Sequence, residues 1–535
     1  MQRGMPAERR KRSGVAGQFA KKGVRKMFTI SRRSLLKISA ASGLMAALPG
    51  GGAWAAEPKR GGHLVVASGG ASTADSLDPR TFGSPYTAVM SGITYNSLIE
   101  VHGLDMELRP GLAKSWEPAN GGKSWIFDLV EGATFHNGKA FTSEDVVFSL
   151  KRHAEEASRS NMRSIIKGVS DIRADGPNRV IIDLPEANYM FPAMLTAFSL
   201  GIVPAGTTTF DGVGTGPYKL KRFSPGEVLE AERNENYFKS DAAFVDSLEF
   251  LAINDASALG SAFQSGQIHL TTLLDARTAP LMRQMQNLKI YNTEGRGFIC
   301  FNMRTDMAPF DNPDMRMALK LAVNRPDMLE RVSVGVGRIA NDTPVAPSDP
   351  VFAADLPQTE YDPKRAKELF DKTGFKGPLV LQTSEAISSR AVDMAVIFQE
   401  HAAKAGIPIE VKREPSDGYW ETIVGQTPFH VSARSDRPTA DAIFSVAFLS
   451  TSGNNECKWV NKDFDAAVIA ARAEPDLEKR KAFYATAQKI CREDGGTIIP
   501  FFSSTVEGTT SDLDGFVPSA LQMAGYRAIE QVWFA

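Results

Sequence analysis

The sequence predicts an α/β fold, because strand patterns and helix patterns alternate along most of the chain. The clearest unit is residues 378–414, where PLVLQTS, SRAVDMAVIFQEHAAKAG and IPIEVKRE have the patterns of a strand, a helix and a second strand. That order and length are typical of a βαβ unit and predict a parallel strand pair with a right-handed crossover. With 43% hydrophobic and 23% charged residues and no internal repeat, the composition is that of a globular protein.

The first elements are predicted to be strands. GGHLVVAS (61–68) has the pattern of an early strand. Residues 115–135 predict a hairpin in which NGG (120–122) supplies the turn. The large apolar side chains of WIFDL (125–129) then alternate on one face of its second strand.

A helix is predicted next, in FTSEDVVFSLKRHAEE (141–156). Thr142 is its expected N-cap, and Asp145 three residues later is the expected partner of a capping box. The next segments predict a strand, then a turn with a strand pair, then a helix, a glycine turn and a strand: RVIIDLP (179–185), GTGPYKLKRFSPGEVLEAERN (214–234) and LGSAFQSGQIHLTTLL (259–274).

The second half of the chain contains more helices. Two of them are expected to begin at a polar residue followed by proline, at Asn312-Pro313 and Asp362-Pro363. Further on, FHVSAR is a strand pattern, DFDAAVIAARAEPDLEKRKAFYATAQKICRED gives two helices, and TIIPFFSS (497–504) is predicted to be one buried strand.

Residues 1–55 have the features of an export signal. SRRSLLK (31–37) precedes an uncharged run of small and apolar residues, and Ala53-Trp54-Ala55 has the small-x-small pattern of a cleavage site. The paired arginines are similar to a twin-arginine signal, with a general secretory signal as the alternative. Met27 is a natural start for such a signal, so residues 1–26 are expected to be an upstream extension.

The charge balance changes once this region is removed. Residues 1–55 hold 12 Lys/Arg and one acidic residue, which leaves the remaining 480 residues with 49 basic and 61 acidic side chains. A strongly acidic chain is a poor partner for nucleic acid, so none is expected. At ~150 residues per domain, 480 residues predict about three domains or subdomains.

No catalytic, cofactor or metal motif is present in the sequence. HExxH, CxxC and GxSxG are absent, and the GxGxxA match at residues 335–340 follows a helix pattern instead of a strand. The seven histidines lack ligand spacing, although a metal-chelate role for His430 stays open. Of the three cysteines, Cys457 and Cys491 are the candidate disulfide pair.

Several blocks of the chain closely resemble one protein family. LRPGLAKSWEPANGGKSWIFDLVEGATFHNGKAFTSEDVVFSLKR (108–152) is similar to the signature of the family 5 bacterial extracellular solute-binding proteins, the peptide, nickel and opine binders of ABC importers. Further similar blocks follow in the expected order: GTGPYKL (214–220), RNENYF (233–238), FNMRTDMAPFDNPDMRMALKLAVNR (301–325), YDPKRAKELF (361–370) and residues 463–490. Together they cover roughly residues 60–505.

The resemblance implies a two-lobed periplasmic binding protein-like type II fold with an extra subdomain in the larger lobe. The expected boundaries are the signal region 1–55, lobe 1 at 56–296 with a subdomain at about 105–205, lobe 2 at 297–500, and a return to lobe 1 at 501–535. The two strands that cross between the lobes are expected near residues 297–303 and 497–502.

The resemblance also implies a function. A periplasmic, non-enzymatic and monomeric binding protein without cofactor is expected to capture a short peptide or opine-like amino-acid conjugate between two hinged lobes, and to deliver it to an inner-membrane ABC permease. The alternative is a secreted hydrolase or cofactor enzyme that is exported folded. A signalling or chaperone-like receptor that shares the fold is the third hypothesis.

The segment FHVSARSDRPTADAIF (429–444) is the best candidate for the ligand site. In peptide-binding members, the matching segment carries an aspartate that pairs with the α-ammonium of the ligand; Asp436 is the nearest equivalent here and Asp441 the second. The chain departs from these members at Arg434 and Arg437, where they often have Trp and Asp. Arginine suits carboxylate or phosphate, so a zwitterionic or acidic ligand is expected. Local pairing of the arginines with the two aspartates is the alternative.

Four further residues complete the predicted site. Ser84 and Tyr86 in LDPRTFGSPYTAVM (77–90) are candidates to face the cleft from the first lobe, and Tyr419 and Trp420 offer aromatic surface from the second. Packing into the core is the alternative for each pair.

Overall fold

The structure is a computed structural model of the chain. It describes residues 57–101, 103, 106–388, 390–519, 521 and 527–535. The predicted signal region at 1–55 therefore lies outside the described residues. In the described part, no helix is both long and apolar enough to cross a membrane.

The strands fall into two large sheets and one smaller sheet, with two short strand pairs beside them. In chain order they are β1 (His63–Ser68), β2 (Ile99–Val101), β3 (Leu108–Pro110), β4 (Ala113–Ala119), β5 (Ser124–Leu129), β6 (Asp171–Ala174), β7 (Arg179–Asp183), β8 (Tyr218–Ser224), β9 (Val228–Arg233), β10 (Ser247–Ala252), β11 (Leu270–Thr271), β12 (Leu288–Glu294), β13 (Phe298–Met303), β14 (Gly337–Ile339), β15 (Leu379–Thr383), β16 (Ile409–Arg413), β17 (Phe429–Arg434), β18 (Thr497–Ile498), β19 (Phe501–Thr510), β20 (Leu513–Asp514) and β21 (Trp533–Phe534).

The helices cover both faces of the two large sheets. In chain order they are α1 (Pro85–Thr94), α2 (Ser143–His153), α3 (Arg163–Lys167), α4 (Phe191–Met194), α5 (Ala256–Gln264), α6 (Ala279–Met282), α7 (Pro313–Leu321), α8 (Arg325–Ser333), α9 (Pro363–Lys372), α10 (Ala391–Lys404), α11 (Tyr419–Thr422), α12 (Ala440–Ala447), α13 (Lys462–Ala473), α14 (Leu477–Asp494) and α15 (Ala528–Gln531).

The first sheet has the order β12-β19-β11-β1-β10-β9-β8, and β14 pairs with β19. Its central strand β1 is parallel to both β10 and β11. Because successive side chains of a strand point to opposite faces, Leu64 and Val66 pack in the core that includes α1, whereas Ala67 packs in the core that includes α5. This sheet and its helices are called the first lobe below.

A subdomain is inserted in the first lobe. Its antiparallel sheet has the order β4-β5-β7-β6. Trp125, Phe127 and Leu129 of β5 are all buried in its core, as their alternation predicted. The predicted capping box is also confirmed, because Thr142 and Asp145 exchange hydrogen bonds at the start of α2.

The second sheet, with the order β16-β15-β17-β13-β18, forms the second lobe with its helices. All six residues of β13 are buried, because helices cover both of its faces. The predicted βαβ unit is confirmed as β15, α10 and β16, and its two strands are parallel. The predicted helix starts at Asn312-Pro313 and Asp362-Pro363 are confirmed as well, with Asn312 and Asp362 as N-caps.

Two segments of the chain pass between the lobes. The first leaves β12 of the first sheet at Glu294 and enters β13 of the second sheet at Phe298. The second leaves β18 and enters β19 through residues 499–500. The segments are hydrogen-bonded to each other. The amide of Gly295 donates to the carbonyl of Ser503, and the amide of Ser503 donates to the carbonyl of Gly297.

The single strand predicted at 497–504 is wrong in one respect. The chain forms two strands there, because Thr497–Ile498 pairs in the second sheet and Phe501–Thr510 pairs in the first. Pro500 lies at the break and has no amide hydrogen to donate to a ladder.

A candidate ligand cleft between two lobes

The ends of parallel strands bring four loops to the space between the lobes. β15 and β17 are parallel neighbours, so the loops 384–390 and 435–439 that follow them leave the same edge of the second sheet. β1 and β11 are likewise parallel, so the loops 69–76 and 272–278 leave one edge of the first sheet. Ligands of α/β proteins bind beyond the carboxyl ends of such strands.

Asp436 lies in the loop after β17 and is half-buried. Its Oδ1 accepts hydrogen bonds from the backbone N–H groups of Arg296 (2.5 Å) and Gly297 (2.8 Å), which belong to the first crossing segment. No other residue of the described part donates to its Oδ2. Burial raises the pKa of the Asp436 carboxyl, and the backbone N–H groups of Arg296, Gly297 and Asp436 itself, together with the charge of Arg296, offset part of that effect.

The crossing segment is fixed to this loop by a buried arginine. Arg296 donates from Nη1 to the carboxylate of Asp349 (2.8 Å) and to the carbonyl of Pro438 (2.7 Å), two residues beyond Asp436. Its Nη2 donates to the Ser348 carbonyl (2.7 Å). The guanidinium therefore connects the first crossing segment to two loops of the second lobe.

Three of the predicted site residues line one cavity of about 390 Å³, which we call the arginine cavity. These are Trp420, Arg434 and Arg437. Arg434 does not pair with the neighbouring aspartates but with Glu456 (2.5 Å), and it donates to the carbonyl of Asn454 (3.1 Å). Trp420 leaves 45% of its surface exposed, so its ring is accessible.

Glu456 and Lys458 also line the arginine cavity and were missed by sequence reasoning. Asn302 holds the second oxygen of Glu456 at 2.6 Å. The only signal for these residues in the sequence is the run of mostly polar residues in GNNECKW (453–459), which surface turns share.

Asp441 is fully buried at the start of α12. Its Oδ1 accepts hydrogen bonds from Arg472 (3.0 Å) and Tyr484 (3.2 Å). Asp441 and Arg472 form part of the wall of a larger cavity, about 670 Å³, between the subdomain and the second lobe. We call it the subdomain cavity; the loop at 184–191 lines its other side, and Val446, Gly453 and Asn454 line both this cavity and the arginine cavity.

The remaining predicted residues have structural contacts. Ser84 is the N-cap of α1 and forms a capping box with Thr87. Tyr86 is fully buried and stacks on Phe250, with 4.3 Å between ring centroids. The Tyr419 hydroxyl donates to the carbonyls of Gln382 (3.0 Å) and Val431 (2.9 Å) inside the second lobe. None of the three lines the arginine or subdomain cavity, so their contacts favour the packing alternative.

A third cavity, of about 360 Å³, lies where the second crossing segment meets both lobes, and we call it the crossing-strand cavity. Arg277 and Asp275 come from the first lobe, Arg390 and Asp393 from the second, and Thr505 from β19. Sequence reasoning missed these residues as well, because they come from three distant parts of the chain.

His430 and the cysteines have structural environments. His430 is buried, its Nε2 accepts from the Gly425 amide (3.0 Å), and Nδ1 donates to the Thr427 carbonyl (3.1 Å), which fixes a neutral ring. Burial lowers its pKa to about 4. Cys457 and Cys491, the candidate disulfide pair, are two free and buried thiols in the structure. No cluster of three or more potential metal ligands occurs in the described ranges.

Two α/β lobes that are joined by two crossing segments, with charged cavities between and beside them, define a two-lobed solute-binding protein. The comparisons with known proteins identify the family. The model of the bacterial extracellular solute-binding proteins, family 5, matches residues 107–456. The chain belongs to this family, which comprises solute-binding proteins and not enzymes.

Relatives extend the match over most of the chain. The dipeptide-binding protein of Escherichia coli (strain K12) is 24% identical over 508 residues, which cover 86% of this chain and 92% of the relative. A periplasmic binding protein of Helicobacter pylori, in complex with the peptide STSA, superposes with a TM-score of 0.76 at 22% identity over 89% of this chain and 98% of that one. The protein AgaA from A. tumefaciens R10, in complex with agropinic acid, gives a TM-score of 0.77 at 20% identity over 89% and 99%.

These findings place the protein in the periplasm as the substrate-binding component of an ABC importer, with a small-molecule ligand and the membrane permease as partners. They also confirm the two-lobed type II fold.

Proposed function

We propose that the protein captures a short peptide or an opine-like amino-acid conjugate between its lobes, as a monomer, and delivers it to the permease. The names of its curated relatives support a peptide-type ligand, since one is a dipeptide-binding protein. Two bodies move in this capture. The first lobe comprises residues 56–296, with the subdomain at about 105–205, and the return at 501–535. The second lobe comprises residues 297–500. Ligand stabilises closure because only the closed form offers it contacts from both lobes.

The observation that carries this proposal is the carboxyl group of Asp436. One oxygen is held by two amides of the crossing segment, and the other accepts no hydrogen bond from any other described residue. A half-buried carboxylate is stabilised by a cation that pairs with it, and the α-ammonium of a peptide is such a cation. Ligand bound there contacts a group that is fixed to the first crossing segment.

The arginine cavity supplies the other predicted contacts. Arg434 and Arg437 line it together with the exposed face of Trp420. Because Glu456 neutralises Arg434 at 2.5 Å, we assign Arg434 a positioning role. We assign direct contact with a ligand side chain to Arg437 and Trp420 from their place in the cavity wall. Asp441, which Arg472 and Tyr484 hold, positions the start of α12 instead of binding ligand.

The test replaces Asp436 by asparagine. Asp436→Asn keeps an oxygen that accepts from the two amides but removes the charge, whereas Asp436→Ala removes both. We expect Asp436→Asn to lower the affinity for di- and tripeptides about 100-fold, since a hydrogen bond to a charged group contributes ~1.5–3 kcal/mol, as measured by calorimetry on a panel with free and N-acetylated termini.

Asp355→Asn is the matched control, because Asp355 is an exposed aspartate of the second lobe. It should bind the panel like the wild type. Wild-type affinity of Asp436→Asn for peptides with a free amino terminus would remove Asp436 from the site.

A further inference from the structure

The subdomain cavity is the largest of the three cavities described above, and two parts of the molecule form it. Its wall takes α3, the loop at 184–191 and α4 from the subdomain, and α12 and the loop at 449–454 from the second lobe. A volume of about 670 Å³ lies within the ~300–1,000 Å³ range of small-molecule sites. A molecule bound there contacts the subdomain and the second lobe at once.

The charges in this wall compensate one another. Its charged side chains are Glu186, Asp441 and Arg472. Arg472 donates to Asp441 at 3.0 Å, and Glu186 pairs with Lys123 of the subdomain at 3.1 Å. The hydroxyl of Ser445 donates to the Asp441 carbonyl (2.5 Å) and accepts from Arg472 (2.6 Å). A charged ligand group would therefore lose its hydration here without gaining a charge that still needs a partner.

Apolar side chains cover much of the remaining wall. Ile165, Val169 and Leu184 pack against the core of the subdomain but are only half-buried. On the opposite side, Val446 of α12 is half-buried as well. An apolar group that removes such surfaces from water is stabilised by the hydrophobic effect. The wall therefore suits a neutral, apolar group.

The subdomain cavity adjoins the arginine cavity. Val446, Gly453 and Asn454 line both cavities, and both chain neighbours of Asp436 line the arginine cavity. The shared border has open space at Gly453, since no atom would lie within 4 Å of a Cβ at this position. A ligand whose ammonium pairs with Asp436 can therefore extend a long side chain through the arginine cavity and across this border.

We propose that the subdomain cavity binds a neutral, apolar end of the ligand, such as an acyl chain that the first side chain of the ligand carries. This inference rests on the proposed function and names a ligand class within it, amino-acid conjugates and short peptides with a free α-ammonium and a long apolar side chain. The apolar end contacts the subdomain and the second lobe together, so it stabilises the arrangement in which they lie side by side.

The test uses dipeptides whose first residue is a lysine acylated on its side-chain nitrogen with an acetyl, a hexanoyl or an octanoyl group. All three keep the free α-ammonium, and only the length of the apolar chain changes. We expect the affinity of the wild type, measured by calorimetry, to rise about threefold for each added CH₂ group that becomes buried.

Two substitutions should remove this gain in different ways. Gly453→Leu places a side chain in the open space at the border, and Leu184→Gln puts a polar amide into the apolar wall. Both variants should bind the acetyl peptide like the wild type but the octanoyl peptide at least tenfold more weakly. An unchanged ratio of octanoyl to acetyl affinity in either folded variant overturns the proposal, and if Leu184→Gln fails to fold, Gly453→Leu decides by this ratio.

Gly83→Leu and Leu281→Gln are the matched controls. Gly83 lies in a loop of the first lobe, and no atom would lie within 4 Å of a Cβ there either. Leu281 of α6 is 68% exposed. Both controls should keep the wild-type ratio, and a ratio that falls in them as far as in the cavity variants would overturn the proposal.

A second probe separates this proposal from the proposed function. If the wild type binds the acetyl peptide but gains nothing from longer chains, the proposed function stands and the assignment of the subdomain cavity is overturned. If it binds none of the dipeptides, the ligand class of the proposed function is wrong, and millimolar hexanamide then tests the cavity alone. Hexanamide should raise the unfolding temperature of the wild type and of Leu281→Gln but not that of Leu184→Gln. Equal shifts in all three proteins would overturn the apolar assignment.

Discussion

At the scale of single residues, the neighbouring aspartates Asp436 and Asp441 differ in burial and in hydrogen-bond partners. The oxygens of Asp441 accept hydrogen bonds from Arg472, Tyr484 and Ser445. Asp436 is fixed to the chain between the lobes by one oxygen, and no other described residue donates to its second oxygen. Asp441 therefore supports the start of α12, whereas ligand binding by Asp436 stays a prediction.

The burial of His430 allows a prediction of how the free energy of unfolding depends on pH. In the folded protein its pKa is about 4, against an ordinary value of 6.5, because burial disfavours the charged ring. The unfolded chain therefore takes up this proton at a higher pH than the folded chain. The contribution of His430 to the free energy of unfolding is fully present above pH 6.5. It is lost as the pH falls towards 4, by about 1.4 kcal/mol per pH unit.

Urea unfolding at several pH values between 4 and 7 measures this slope. His430→Asn should show a smaller loss of unfolding free energy on acidification than the wild type. His63→Gln, at an exposed histidine, should keep the wild-type slope. The same slope in His430→Asn and the wild type would contradict the neutral, buried ring.

The candidate site could be predicted from the sequence only where neighbours in the chain are neighbours in space. Arg434, Arg437 and Trp420, three of the candidate residues, line one cavity. The partner of Arg434, however, is Glu456, 22 residues away. The crossing-strand cavity combines residues from 256 to 506, and no local pattern indicates such a combination.

At the scale of elements, local patterns predicted most helices and strands because their own side chains determine them. The βαβ unit at 379–413 and the capping box of α2 appear where caps and periodicity placed them. The segment 497–504 has the apolar character of one strand, but the chain changes sheets within it. Apolar character alone does not reveal which sheet pairs with each residue.

Gly297 gives a prediction for the first crossing segment. A Cβ atom at this position would lie 3.0 Å from the carbonyl oxygen of Arg434 and 3.3 Å from Oδ2 of Asp436. Gly297→Ala should therefore displace the Asp436 carboxyl and lower the ligand affinity about tenfold, which corresponds to ~1.4 kcal/mol. Calorimetry with the tightest peptide of the panel measures it.

Gly83→Ala is the matched control, since no atom would lie within 4 Å of its Cβ. Its affinity should equal that of the wild type. Equal affinities of the two alanine variants would show that the crossing segment does not position Asp436.

At the scale of the whole molecule, the order of the family blocks predicted the two lobes, which the fold and the relatives confirm. In this structure the subdomain touches the second lobe, because the amide of Tyr189 donates to the carbonyl of Arg472 at 2.9 Å. Arg480 also donates to the sulfur of Met190 at 3.2 Å. These contacts lie beside the subdomain cavity and are of the kind that opening of the cleft has to break.

The central claim, that the lobes close around a solute and release it unchanged, is tested most directly by the distance between them. Cys300, Cys457 and Cys491 are buried, so spin labels can be directed to new cysteines at Glu117 of the subdomain and Lys479 of the second lobe, both exposed. We expect saturating peptide to shift the distance distribution from pulsed electron resonance to a single shorter population, with the peptide recovered intact. A distribution that saturating ligand leaves unchanged, or a peptide recovered as cleavage products, would contradict the account.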